Sequence, residues 1–115
     1  MAKISNFGMH TAYLLGFKRI ADVRGISSIM SLFENAMILS GIYLQIRPDH
    51  HVYIGKTSNM IRRFEQHRQN GIVIEELAFL PIQKRFLDKK EKEIIAKAQR
   101  FGIALDLSLI HISEP

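Results

Sequence analysis

Two phenols, a guanidinium, an imidazole and a carboxylate lie along the middle of this sequence as Tyr43, Tyr53, Arg63, His67 and Glu91. Arg63 and His67 are four positions apart, so on a helix they share one face and can point at a single anion. Arg63 can grip a phosphate with its planar fork, which a lysine cannot do. Glu91 is a hard oxygen ligand, suited to one Mg²⁺ or Mn²⁺ that keeps most of its waters. A free tyrosine titrates at about 10, so a phenol at Tyr43 needs a cationic or hydrogen-bonding neighbour to work near neutral pH. His67 and Lys56 are the candidates for that neighbour. Hydrolysing a phosphodiester needs a nucleophilic water, a base, positive charge on the phosphorane and a stabilised leaving oxygen. The five residues together cover those needs.

Taken singly, each has an ordinary explanation. Tyr43 and Tyr53 can be strand aromatics. Arg63 can be one solvated charge among Arg62, Arg63 and Arg68, and His67 a surface residue near a helix end. Glu91 has the strongest competitor, since Asp88-Lys89-Lys90-Glu91 has the spacing of a capping box. Glu93 is a second acid close enough to serve as the ligand instead. His50 and His51 fall in a turn and read as solvent-facing. The joint occurrence outweighs the separate explanations.

The elements that must position these groups follow from pattern. Ile42–Ile46 reads as a strand, Arg47-Pro48-Asp49-His50-His51 has turn chemistry, and Val52–Ile54 reads as the returning strand of a β-hairpin. Ser58 or Asn59 can cap a helix running to about Asn70, with Gly71 at its end. Ile72–Ile74 and Leu77–Leu80 suggest a third strand region, closed by Pro81. A last helix runs from about Asp88 to Arg100, with Ile94, Ile95 and Ala98 on one face and Gly102 beyond it. Upstream, Ile29, Met30, Leu32, Phe33, Ala36 and Met37 repeat at helical spacing behind Ser27-Ser28, which predicts a short amphipathic helix. Residues 1–25 carry no clear pattern. The expected architecture is α+β, a small three-stranded antiparallel sheet flanked by helices.

Two tripeptides mark the hairpin strands, Gly41-Ile42-Tyr43 and Tyr53-Ile54-Gly55, followed by Lys56-Thr57-Ser58-Asn59, Arg63, His67 and finally Glu91. In this order they resemble the GIY-YIG nuclease family. The resemblance covers about residues 40–106, and the stretch from Leu87 to Leu105 also looks like the ending of small bacterial members. It implies a metal-dependent DNA endonuclease with Tyr43 as general base and Tyr53 orienting the water or phosphate. Arg63, His67 and Glu91 complete the site, and one divalent ion is held at Glu91. Gly55, Lys56, Arg62 and Arg68 are the expected substrate-binding residues. The alternative is a catalytically inactive DNA-binding module of the same fold. The family usually carries an Asn after the last helix, near the place where this chain has Asp106.

The 115 residues suit one domain, and 47% apolar residues are enough for one modest core. There is no cysteine, which excludes a disulfide framework and a Cys-based zinc site and fits a reducing cytoplasm. No apolar run approaches a membrane span, and Met1–Asn6 lacks a signal-peptide core. The net charge of +5 favours polyanions such as DNA. Lys56, Arg62, Arg63 and Arg68 form one basic group. Lys84, Arg85, Lys89, Lys90, Lys92, Lys97 and Arg100 form another, of which Lys97 and Arg100 read as a solvated face. Leu107–Pro115 fits no element and resembles a translated transposase sequencing-adapter end, so the organisation reads as three parts. These are an N-terminal extension with a short helix (1–40), the nuclease-like domain (41–106) and a non-native tail (107–115). An additional specificity domain or a protein partner is expected to supply DNA sequence choice.

Overall fold

The computed structural model describes residues 6–26, 28–33 and 37–105. Asp106, Ser27, Ala36 and the tail from Leu107 lie outside the described residues. The elements run α1 (Asn6–Leu14), β1 (Ile20–Asp22), β2 (Gly41–Arg47), β3 (His51–Thr57), α2 (Met60–Gln69), β4 (Glu76–Pro81) and α3 (Leu87–Arg100). The architecture is α+β, and every paired strand is antiparallel to its neighbour. The sheet has four strands in the order β1-β4-β2-β3, not the expected three. The added strand is β1, which pairs Ile20 with Ala78 and Asp22 with Glu76. Arg24 pins it there, bonding Asp22 at 3.0 Å, Glu75 at 3.3 Å and Glu76 at 3.4 Å.

Each helix covers an apolar face of the sheet. Ile42, Leu44 and Ile46 of β2 and Val52 and Ile54 of β3 point to one side, where Ala12 of α1 and Ile94 and Ala98 of α3 meet them. Tyr43 and Tyr53 point to the other, against Met60 and Phe64 of α2. Because both faces are covered, all seven residues of β2 are buried and the strand shows no in-out polarity alternation. Residues 6–26 therefore contribute a helix and a strand to the same layers as the hairpin. The amphipathic helix expected from Ile29 onward is shorter among the described residues, a 3₁₀ turn over Met30–Phe33. Ile29 is buried, whereas Met30 and Leu32 are exposed, so no continuous apolar face forms there.

The hairpin that matters most is in full register, Gly41 opposite Thr57 through Arg47 opposite His51. Its tip is tight, with Asp49 and His50 both at positive φ, 63° and 60°. From β3 the chain enters α2 through a local lock. The Thr57 hydroxyl accepts from the Asn59 N–H, and the Asn59 side chain caps the Arg62 N–H at 3.1 Å. Gly71 and Gly102, at φ 80° and 75°, end α2 and α3.

Gly55 explains why the second tripeptide ends in glycine. It stands opposite Tyr43, and a Cβ there would lie 2.6 Å from the Tyr43 ring carbon and hydroxyl. Tyr43 is 1% exposed and has no room to retreat. Gly55→Ala should therefore cost about 1–3 kcal/mol of stability through overpacking. Urea unfolding of the two proteins side by side checks this, and equal midpoints would mean the ring is freer than its packing implies.

Candidate functional site

The site is built on the α2 face of the hairpin, where odd-numbered residues of β2 and β3 line up. Tyr43 and Tyr53 have ring centroids 5.9 Å apart, and His67 from α2 lies 6.0 Å from Tyr43 and 6.3 Å from Tyr53. The three rings form a near-equilateral cluster at the sheet–helix seam. The Tyr43 phenol also hydrogen-bonds Tyr53. Arg63, one helical turn before His67 and half-buried, is near enough for its charge to act on both Tyr43 and His67. Four of the five expected residues thus converge.

Two residues that sequence reading passed over complete this cluster, Gln45 and Arg47. They follow Tyr43 at two-residue steps on the same strand face, which is the signal that could have found them. Arg47 donates to the Gln45 carbonyl oxygen from Nε at 3.0 Å and from its terminal nitrogen at 2.6 Å. Its guanidinium also lies 4.5 Å over the Tyr53 ring. The Gln45 amide nitrogen lies 2.9 Å from His67 Nδ1. A guanidinium can only donate, so the Gln45 oxygen must face Arg47 and its NH₂ must face the imidazole. His67 Nδ1 is then an acceptor, and the ring proton sits on Nε2.

This network sets the electrostatics. Burial, then the charges of Arg47 and Arg63, push the His67 pKa down to about 4. His67 is therefore neutral near neutral pH, and of the two expected kinds of neighbour for Tyr43 it is a hydrogen-bonding one and not a cation. Burial likewise drives the Tyr43 phenol above its usual range, with Tyr53 adding to the effect. Arg63 and Arg47 pull in the opposite direction, so the cations that act on Tyr43 are these two arginines.

Lys56 was the other candidate neighbour for Tyr43, and it faces away. It pairs with Ile42, one step along from the Tyr43–Gly55 pair, and so projects from the opposite pleat toward α3. There its ammonium lies 2.6 Å from Asp88 and 3.4 Å from Glu91. The Asp88 hydrogen bond raises the Lys56 pKa, and the same bond lowers that of Asp88. Glu91 is buried at 9% exposure, turned toward the sheet. It does not cap α3, because the helix begins at Leu87 and its N-cap position, Phe86, makes no side-chain bond. The capping-box alternative for Glu91 thus falls away. Glu93, the other acid considered, is exposed and lies 3.6 Å from Lys90.

The carboxylate and the phenols are therefore on opposite faces of β3. That strand ends the sheet order, and Tyr43 lies on the next strand in, β2. Among the described residues no three His, Asp or Glu side chains gather as a ready-made metal site. Arg62 is exposed and Arg68 half-buried on α2, while Lys84, Arg85, Lys89, Lys92 and Arg100 are exposed around α3. His50 and His51 are exposed at the hairpin tip, with Phe7 stacked on His50 at 4.4 Å. Among the described residues no helix is long and apolar enough to cross a membrane. No protein-family model, curated protein or solved structure matches this chain.

The His67 assignment has a direct check. ¹⁵N NMR should report a neutral imidazole protonated at Nε2, titrating near pH 4. Gln45→Glu places a carboxylate against Nδ1 and should raise that titration. Because the folded pKa lies below the ordinary value of about 6.5, the unfolded chain takes up a proton the fold refuses as pH falls. Stability from this group is thus full above about pH 6.5 and declines toward pH 4. An imidazolium persisting at pH 7, or a proton on Nδ1, would contradict the network.

Proposed function

We propose that this chain is a metal-dependent endonuclease that hydrolyses DNA phosphodiester bonds by a GIY-YIG mechanism, on a fold of that family. The observation that carries the reading is the ring triangle of Tyr43, Tyr53 and His67 with Arg63 beside it, on a hairpin whose Gly55 is demanded by the Tyr43 ring. Buried polar side chains held this closely, with pKa values moved far from their free values, are typical of functional sites.

In this reading a phosphate sits at the edge of β3 near Gly55 and Lys56, beyond the bridge that Leu105 makes to Val52, where it can meet side chains from both faces. Arg63 grips its non-bridging oxygens through its fork and offsets the charge that grows on the phosphorane. His67 donates from Nε2, and Gln45 and Arg47 hold it in the tautomer that can do so. The Tyr53 hydroxyl orients the attacking water or the phosphate. Tyr43 acts as base only as its phenolate, formed by loss of its own proton to solvent. Arg63 and Arg47 favour that anion against burial, and it then takes the proton of the attacking water.

Glu91 fits a hydrated divalent ion in one respect, since it is a buried carboxylate with no helix-capping duty. Asp88 stands on the other side of the same Lys56 ammonium. Glu91 would hold Mg²⁺ or Mn²⁺, which would neutralise charge on the scissile phosphate and leaving oxygen. Lys56 would then turn from its carboxylates to a backbone phosphate, joined by Arg62 and Arg68, with Gly55 leaving room for the backbone to approach.

A second reading is a DNA-binding module of the same fold without catalysis. It is favoured by one observation, that Glu91 is engaged by Lys56 on the pleat opposite the phenols. The two readings separate in one assay. The wild-type chain should nick plasmid DNA with Mg²⁺ or Mn²⁺, and Glu91→Ala should remove nicking while leaving salt-sensitive DNA binding within a few-fold. A Tyr43 base with a raised pKa further requires a single-turnover rate that climbs with pH through the alkaline range. Equal cutting by wild type and Glu91→Ala, or a rate flat in pH, would overturn the assignment. Binding without cutting by the wild type would favour the inactive module.

A further inference from the structure

On the sheet edge opposite β3, between α1 and β1, lies a surface cavity of about 610 Å³, lined in part by Met9, His10, Tyr13, Phe17, Lys18 and Arg19. Tyr13 is 80% exposed and Met9 52%, an unusual display for an aromatic and a thioether on a helix whose other face is in the core. Lys18 and Arg19 are exposed and make no ion pair among the described residues. No Asp or Glu occurs in the sequence before Asp22, so nothing acidic from this stretch neutralises them.

We propose that this face binds single-stranded nucleic acid, with a base stacked on Tyr13 above the apolar floor of Phe17 and flanking phosphates on Lys18 and Arg19. The combination selects the occupant. A chain of acidic residues alone would satisfy the cations and leave the exposed ring and apolar floor unused. Duplex DNA would offer phosphates but keep its base faces hidden, whereas an unpaired strand presents both at nucleotide spacing. β1 and β2, which carries Tyr43, are two strand spacings apart, about 10 Å, and α1 packs in the core cluster that excludes the rings, so this face is separate from the ring cluster and does not rest on the hydrolase reading.

Fluorescence anisotropy of the full chain with a labelled twelve-residue oligothymidylate, at low and moderate salt, tests the proposal. Base–aromatic stacking is large enough that Tyr13→Ala should weaken binding roughly ten-fold, while Tyr13→Phe stays within about two-fold of wild type. Lys18→Gln with Arg19→Gln should weaken binding and flatten its salt dependence. An oligonucleotide carrying 5-iodouracil should photocrosslink to Tyr13, in Glu91→Gln as in wild type. Crosslinks confined to other residues, Tyr13→Ala binding like wild type, or polyglutamate of equal charge competing as well as the oligonucleotide would each overturn it. Loss of plasmid nicking with the Tyr13 crosslink intact would count against the hydrolase alone and support this surface.

Discussion

The ring of Tyr43 lying across Gly55 is the contact on which the rest of the arrangement depends. It fixes the register of β2 on β3, because any residue with a Cβ at position 55 would strike that ring. Once the register is set, alternation along the strands does the sorting. Tyr43, Gln45, Arg47 and Tyr53 go to the α2 face, and Ile42, Ile54 and Lys56 go to the α3 face. A one-residue slip would exchange the two sets and leave a lysine under α2 and a phenol under α3.

That sorting leaves the chemistry divided between the two faces of the hairpin. On one side are buried phenols and a neutral imidazole governed by two arginines. On the other is a buried carboxylate whose neighbour is an ammonium. Each half is internally satisfied. Gln45 uses both ends of its amide, so the polar groups buried beside Tyr43 brace one another. The proposed hydrolysis requires a phosphate at the edge to unite the halves, with Lys56 changing partner from Glu91 to the substrate. Burial dominates the Tyr43 shift and disfavours its anion, while the cations that oppose burial there are arginines, which stay charged when desolvated.

Much of this was legible in the sequence, for identifiable reasons. The hairpin, α2 and α3 announce themselves through local signals: paired tripeptides, Pro-Asp turn chemistry, the Asn59 cap, and the glycines after each helix. Strand β1 was not legible, because three residues carry no period and its partner β4 is far along the chain. Helix α1 was obscured by Gly8 and by apolar residues on more than one face. In the site, Tyr43, Tyr53, Arg63 and His67 were found by type and spacing. Gln45 was missed because a glutamine among strand apolars suggests an outward position, and Arg47 because it was read into the turn; β2 runs through Arg47 and is buried on both faces. The Asp88–Glu91 spacing matched a cap, yet tertiary contact with Lys56 claims both carboxylates. No local rule distinguishes these outcomes.

The central claim is that both faces of β3 serve one phosphate. The most direct measurement is a crystal structure of Tyr43→Phe with a short DNA duplex and Mn²⁺, with the ion located by its anomalous scattering. The account predicts a single ion at Glu91 and one DNA phosphate in reach of both that ion and Arg63, with Lys56 released from Glu91. An ion bound elsewhere, or a phosphate at Arg63 with Glu91 still paired to Lys56 on the far face, would contradict it.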